Sequence, residues 1–114
     1  MMKSYRRTDR LNEVIKEEIA ELIVSGEIDD ERLKMVTITR VRVSEDLSFA
    51  DVYYSVIGSS WESARKALED SKKFMEYRMM KDLRIKKIPK LRFFEDRNLE
   101  YVERIERILK EMGF

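Results

Sequence analysis

At 114 residues, with 43% hydrophobic and 41% charged residues and a net charge of +1, the chain reads as one domain with a core of its own, residues 1–114. It contains no cysteine and no histidine, which removes disulfides, thiolate and imidazole metal ligands, and the commonest nucleophile and general base. No apolar run nears membrane-spanning length, no charged-then-apolar leader opens the chain and no Gly-rich phosphate loop is present; the composition points to a cytoplasmic protein that is not an enzyme and holds no cofactor.

In chain order, residues 1–10 carry Lys3, Arg6, Arg7 and Arg10 against Asp9. The 3.6-residue spacing of Leu11, Val14, Ile15, Ile19, Leu22 and Ile23 then predicts an amphipathic helix, with Gly26 as its stop. Residues 11–31 hold eight acids and only Lys16, so this helix is basic at its start and acidic along its outer face. Arginines at a helix start oppose the helix dipole, and an external anion is the reason expected for them.

Two β-branched stretches follow, Met35–Val43 and Ala50–Ile57. Ser44–Ser48 between them has turn chemistry, so the two pair as an antiparallel hairpin. Ala50, Val52, Tyr54 and Val56 share the core face of the second strand. The first strand changes phase, with Val36 and Ile38 on one side and Val41 and Val43 on the other. That predicts a bulge or strong twist near Thr39–Arg40, or burial on both faces.

Ser59 and Glu62 make a capping box for a long helix whose inward stripe is Trp61, Ala64, Leu68, Ser71, Met75 and Met79. Pro89 forbids further helix, and Lys90–Glu95 alternates as a third strand with Leu91 and Phe93 on one face. Asp96 or Asn98 can cap a last helix with Leu99, Val102, Ile105, Ile108, Leu109 and Met112 inward. A strand reached through a helix returns to the same sheet, here placed beside the first strand. The class is α+β, a three-stranded mixed sheet covered on one face by helices.

Charge is segregated along the chain. Residues 65–92 hold eleven basic residues against four acids, a net of +7 in a chain whose total is +1. A positive helix docked beside a sheet suits a polyanion. The plainer reading is a solvated helix face in a charge-rich protein.

Several stretches together carry a resemblance: Arg6-Arg7-x-x-Arg10-Leu11; Val36-Thr37-Ile38-Thr39-x-Val41-x-Val43-Ser44-x-Asp46-Leu47; Ala50-Asp51-Val52-Tyr53; and Ile88-Pro89-x-Leu91-x-Phe93-x-x-Asp96. In this order and spacing the chain resembles the ribosome-binding factor A family of type II KH-like domains along nearly its whole length. The resemblance implies helix, strand, strand, kinked helix, strand and a C-terminal helix. It also implies a monomeric cytoplasmic RNA-binding protein of ribosome biogenesis, linked to cold adaptation. Such a factor binds the free or immature small ribosomal subunit and its rRNA, with ribosomal proteins as further partners and no membrane. It assists 5′-end processing of that rRNA and is not an enzyme.

The family's kink carries Ala-x-Gly, where this chain has Ser71-Lys72-Lys73, and Glu76 stands where Arg is common. A break near Ser71–Lys73 is still expected on size. An unbroken helix over residues 60–83 would run ~36 Å, against a diameter of roughly 34 Å for a compact domain of this length. Expected RNA contacts are Arg6, Arg7 and Arg10 with Lys3 at one site, and Ser71, Lys72, Lys73, Arg78, Lys81, Arg84, Lys86 and Lys87 at the other. The alternative is a protein-interaction adaptor whose acidic face, Glu13 to Asp30, grips a basic ribosomal protein without touching RNA.

Overall fold

The β-branched stretches form the hairpin at the middle of the fold. The computed structural model describes residues 7–58, 60–97 and 99–113, with the backbone alone at 99–102. β1 (Val36–Val43) and β2 (Phe49–Val56) pair antiparallel across the Ser44–Ser48 turn. The turn is tied by its own side chains: Ser44 Oγ and the Ser48 N–H both donate to Asp46 Oδ1, at 2.9 and 3.0 Å. The register slips between Ile38 and Arg40, leaving Thr39 as the bulge. That slip resolves the phase change, because Val36, Ile38, Val41 and Val43 are all buried.

β3 (Lys90–Glu95) runs parallel to β2, from Phe49↔Lys90 to Tyr54↔Glu95, and the sheet order is β1-β2-β3. The placement beside the first strand is therefore corrected: β3 lies on the far side of β2. The free edge of β2 was open to it, whereas β1 is flanked by α1 (Arg7–Val24), whose Asn12 Oδ1 accepts the Val43 N–H at 2.7 Å.

α1 and α2 (Trp61–Leu83) cover one face of the sheet. Ile15, Ile19 and Leu22 of α1 and Ala64, Ala67, Leu68, Met75 and Met79 of α2 are buried with Ala50, Val52, Tyr54 and Leu91. The small Ala64 and Ala67 let α2 lie close to the strands. Gly26, at φ +81°, supplies the left-handed turn that ends α1. The cap of α2 is Ser60, whose Oγ accepts the Ser63 N–H at 3.3 Å. The expected capping box sat one residue earlier; its Ser59 lies outside the described residues, and Glu62 pairs with Lys66 at 3.7 Å instead.

The break expected near Ser71–Lys73 is absent, for α2 runs as one helix of 23 residues. Ser71 is buried in register between Leu68 and Met75, and Lys72 and Lys73 are good helix formers. The molecule is also flatter than a sphere, with extents of 45 × 41 × 21 Å and a radius of gyration of 15.0 Å, so a long rod fits along it. Its far end packs on α1, where Met79 is buried and Leu83 half-buried, while Met80 is exposed. Glu76 has a structural task, its Oε2 accepting the Leu91 N–H at 2.9 Å and tying α2 to β3.

α3 (Leu99–Glu111) follows β3. Its expected inward stripe is only partly turned in: Ile105 and Leu109 are half-buried, whereas Ile108 and Met112 are exposed. With α1 and α2 already on the core face, no buried apolar layer is left for them among the described residues. Asn98 and the side chains of Leu99 and Val102 lie outside the described set.

Candidate nucleic-acid interface

The two basic clusters of the sequence meet in the fold. Arg7 and Arg10 at the start of α1 face the connector that leaves α2, and with Arg84, Lys86 and Lys87 they line one pocket of about 540 Å³. Its apolar lining is Leu11, Val14, Leu47, Leu83 and Ile85. Arg84 closes α2 in the left-handed region, φ 52° and ψ 38°, a conformation glycine usually supplies. Keeping arginine there costs backbone strain and places a fifth cation at the pocket. The positive end of the α1 dipole adds to the same field.

The Asp46 carboxylate borders this cluster. Lys87 Nζ donates to the Asp46 carbonyl at 3.2 Å. Hydrogen bonds from the Ser48 backbone N–H, then from the Ser48 and Ser44 hydroxyls, with Lys87 nearby, hold the Asp46 carboxyl down to about 2. It is ionised at any working pH, and an anion entering the pocket competes with it.

The other expected contacts divide. Lys73 and Lys81 stand exposed on the outer side of α2 with no ion pair among the described residues. Lys72 is partly shielded and reaches Glu69 at 4.0 Å. Ser71 is buried, so it cannot touch a ligand, and that expectation is withdrawn. Arg78 is engaged inside the protein, pairing with Glu27 at 2.7 Å and Asp82 at 3.1 Å, so a phosphate would have to displace two carboxylates. Arg6 and Lys3 lie outside the described residues.

Reading α2 for charge alone hides three further residues. Phe74 (40% exposed), Tyr77 (52%) and Met80 stand out among Lys73 and Lys81, off the buried stripe. Rings beside cations can stack unpaired bases. Their signal was available in the sequence as apolar residues out of phase with Leu68, Met75 and Met79.

The acidic run is partly consumed within the fold. Asp30 pairs with Arg32 at 2.7 Å, Glu31 with Lys34 at 3.0 Å, and Glu27 with Arg78. What remains is a groove of about 650 Å³ between α1 and the end of α2, where Glu17, Glu18, Glu21 and Asp82 flank Val14, Ala20, Val24 and Leu83. One Glu18 oxygen is buried with no hydrogen-bond partner among the described residues. Burial first, and then the contact with Asp82, push the Glu18 carboxyl above its ordinary range. A raised carboxylate favours the fold below the ordinary pKa and loses that contribution as pH rises through the folded value. Glu18→Gln is therefore expected to stabilise the protein at pH 7, by less than about 1 kcal/mol, and to change nothing near pH 4. Thermal melts at the two pH values check this; equal shifts at both would contradict it.

The family model described as ribosome-binding factor A matches residues 7–109. The protein of that name from Geobacter metallireducens is 40% identical over 111 residues, covering 96% of this chain and 93% of the relative. A Thermotoga maritima ribosome binding factor A structure, solved in solution, is 32% identical with a TM-score of 0.72, covering 86% of this chain and 94% of that one. A homology model of Thermus thermophilus ribosome binding factor A, as fitted into a cryo-electron-microscopy map of a 30S complex with that protein, is 29% identical with a TM-score of 0.65, covering 76% of this chain and 92% of that one. The matched span runs from the first arginine of the pocket to the last turn of α3, and the chain belongs to the ribosome-binding factor A family.

Proposed function

We propose that the chain is an assembly factor that binds the free or immature small ribosomal subunit through its rRNA. In this reading it acts as one monomeric KH-like domain in the cytoplasm, as a binder and not as a catalyst. The observation that carries it is the convergence of Arg7, Arg10, Arg84, Lys86 and Lys87, from opposite parts of the chain, on one pocket. Phosphate contacts position a protein without specifying sequence, so selectivity comes from the shape of the RNA site. The Thermus thermophilus relative in its 30S complex supports the choice of partner. Assistance to 5′-end processing of the rRNA and a role in the cold follow from the family resemblance.

Sedimentation with separated small subunits, large subunits and whole ribosomes tests the reading. Co-migration with free small subunits alone is expected; equal co-migration with large subunits or whole ribosomes would sink it. A second reading is favoured by the acidic groove of Glu17, Glu18, Glu21 and Asp82, whose charge and apolar floor suit a Lys-rich segment of a ribosomal protein. That adaptor would ignore naked RNA and lose subunit binding on Glu17→Lys with Glu21→Lys. Salt titration on naked RNA and on subunits separates the two.

A further inference from the structure

The sheet face turned away from α1 and α2 carries its own set of aromatic rings and arginines. The strand registers align Arg40, Tyr53 and Phe94 in one row and Arg42, Asp51 and Arg92 in the next. The Arg40 guanidinium lies 4.2 Å from the Tyr53 ring centroid, and the Tyr53 and Phe94 rings stack at 5.6 Å with 30° between their planes. Arg92 lies 4.1 Å from the Phe49 centroid and is fixed there by two hydrogen bonds to Asp51, at 2.6 and 3.1 Å. Phe49 is 36% exposed and Phe94 41%, and neither belongs to the core.

Charge selects the occupant. On the outward positions of the strands, Arg40, Arg42, Lys90 and Arg92 outnumber Asp51, which Arg92 already holds; at the margins Asp96 accepts the Thr39 hydroxyl at 2.6 Å, and Asp9 and Glu13 of α1 line a pocket with Arg40 and Arg42. A basic protein segment would meet an excess of like charge, and an apolar one would have to strip water from the guanidinium groups. An unpaired nucleotide meets both needs, offering a π face to the rings and a phosphate to the cations. A duplex does not, because its base faces are hidden.

We propose that this face is a second nucleic-acid surface, which stacks unpaired bases on Phe49, Tyr53 and Phe94 while Arg40, Arg42 and Lys90 hold the phosphates. It lies on a different surface from the pocket of Arg7 and Lys86 and does not rest on that pocket's reading, so either surface can fail alone.

The test is a titration of the full chain with short oligoadenylate, oligouridylate and a blunt RNA duplex, followed by NMR of the aromatic rings. Oligoadenylate should shift the Phe49, Tyr53 and Phe94 resonances most, oligouridylate less and the duplex not at all. Phe94→Leu with Arg40→Gln should weaken oligoadenylate binding by about tenfold or more, while Lys86→Glu leaves the ring shifts in place. Should Phe94→Leu disturb folding, Arg40→Gln with Arg42→Gln, both at exposed positions, is expected to give the same loss. Rings unmoved by oligoadenylate, or an affinity unchanged in these variants, would overturn the proposal. Ring shifts produced only by ribosomal proteins freed of RNA would overturn it too, assigning the face to a protein partner.

Discussion

Arg10→Glu combined with Lys86→Glu lowers affinity for small subunits, or for RNA taken from them, on the order of 30–100-fold at physiological salt. Each phosphate contact adds roughly 0.7–0.9 to the slope of log affinity against log salt. Losing two should flatten that slope by about 1.5, and the introduced carboxylates repel the backbone further. The two residues come from α1 and from the connector after α2, yet they line the same pocket, so one phosphate path can meet both. Both are exposed, and the melting temperature should hardly move. Binding measured across a salt series decides it. A tenfold loss with the slope intact would mean that the pocket is not where phosphates sit. Arg78→Gln is the useful control, since its guanidinium is already held by Glu27 and Asp82.

Leu68→Ala should be among the most damaging single changes of the core, costing about 2–5 kcal/mol out of a total of about 5–15. Leu68 has no solvent exposure and lies on the buried stripe of α2, one turn before Ser71. The expected fall in melting temperature is about 10–20 °C. Lys73→Gly tests the same helix differently. In an unbroken helix an exposed Lys→Gly change costs about 1 kcal/mol, whereas at a natural break it would cost little. Denaturant melts of the two variants together report whether α2 behaves as a single rod in solution.

Periodicity carried most of the fold. The phase change from Ile38 to Val41 pointed to a bulge, a strong twist or burial on both faces near Thr39–Arg40, and the register slip selects the bulge, which turns all four side chains to the core. The neighbour of β3 was not legible, since alternation in Lys90–Glu95 states which side is buried but not which edge is free. The helix break was expected from resemblance and from the size of a sphere; with no glycine at residues 71–73, local propensity kept the helix continuous and the flat shape accommodated it. At the site, charge counting listed the candidate cations but could not sort them by their surroundings. Arg78 and Lys86 look alike in sequence, and only the fold puts Glu27 beside one of them, 51 residues away, and a pocket beside the other. The outward rings of Phe49, Tyr53 and Phe94 escaped notice because they come from two strands whose alignment is a tertiary fact.

β2 meets β1 across a tight turn but meets β3 through Phe49↔Lys90, a separation of 41 residues. Loop closure favours the near pair, so the hairpin should form early and β3 should dock late. Pulse-labelled hydrogen exchange would show it as protection of the Leu91 amide, held by Glu76, arriving after that of the β1 and β2 amides. Arg84, Lys86 and Lys87 ride on the segment that β3 anchors, so they reach Arg7 and Arg10 only at this last step. A nascent chain still missing its third strand then has a hairpin but no assembled cation pocket. On the proposed reading, competence for RNA would arrive only with completion, and an unfinished copy would leave the RNA of the ribosome that is making it alone.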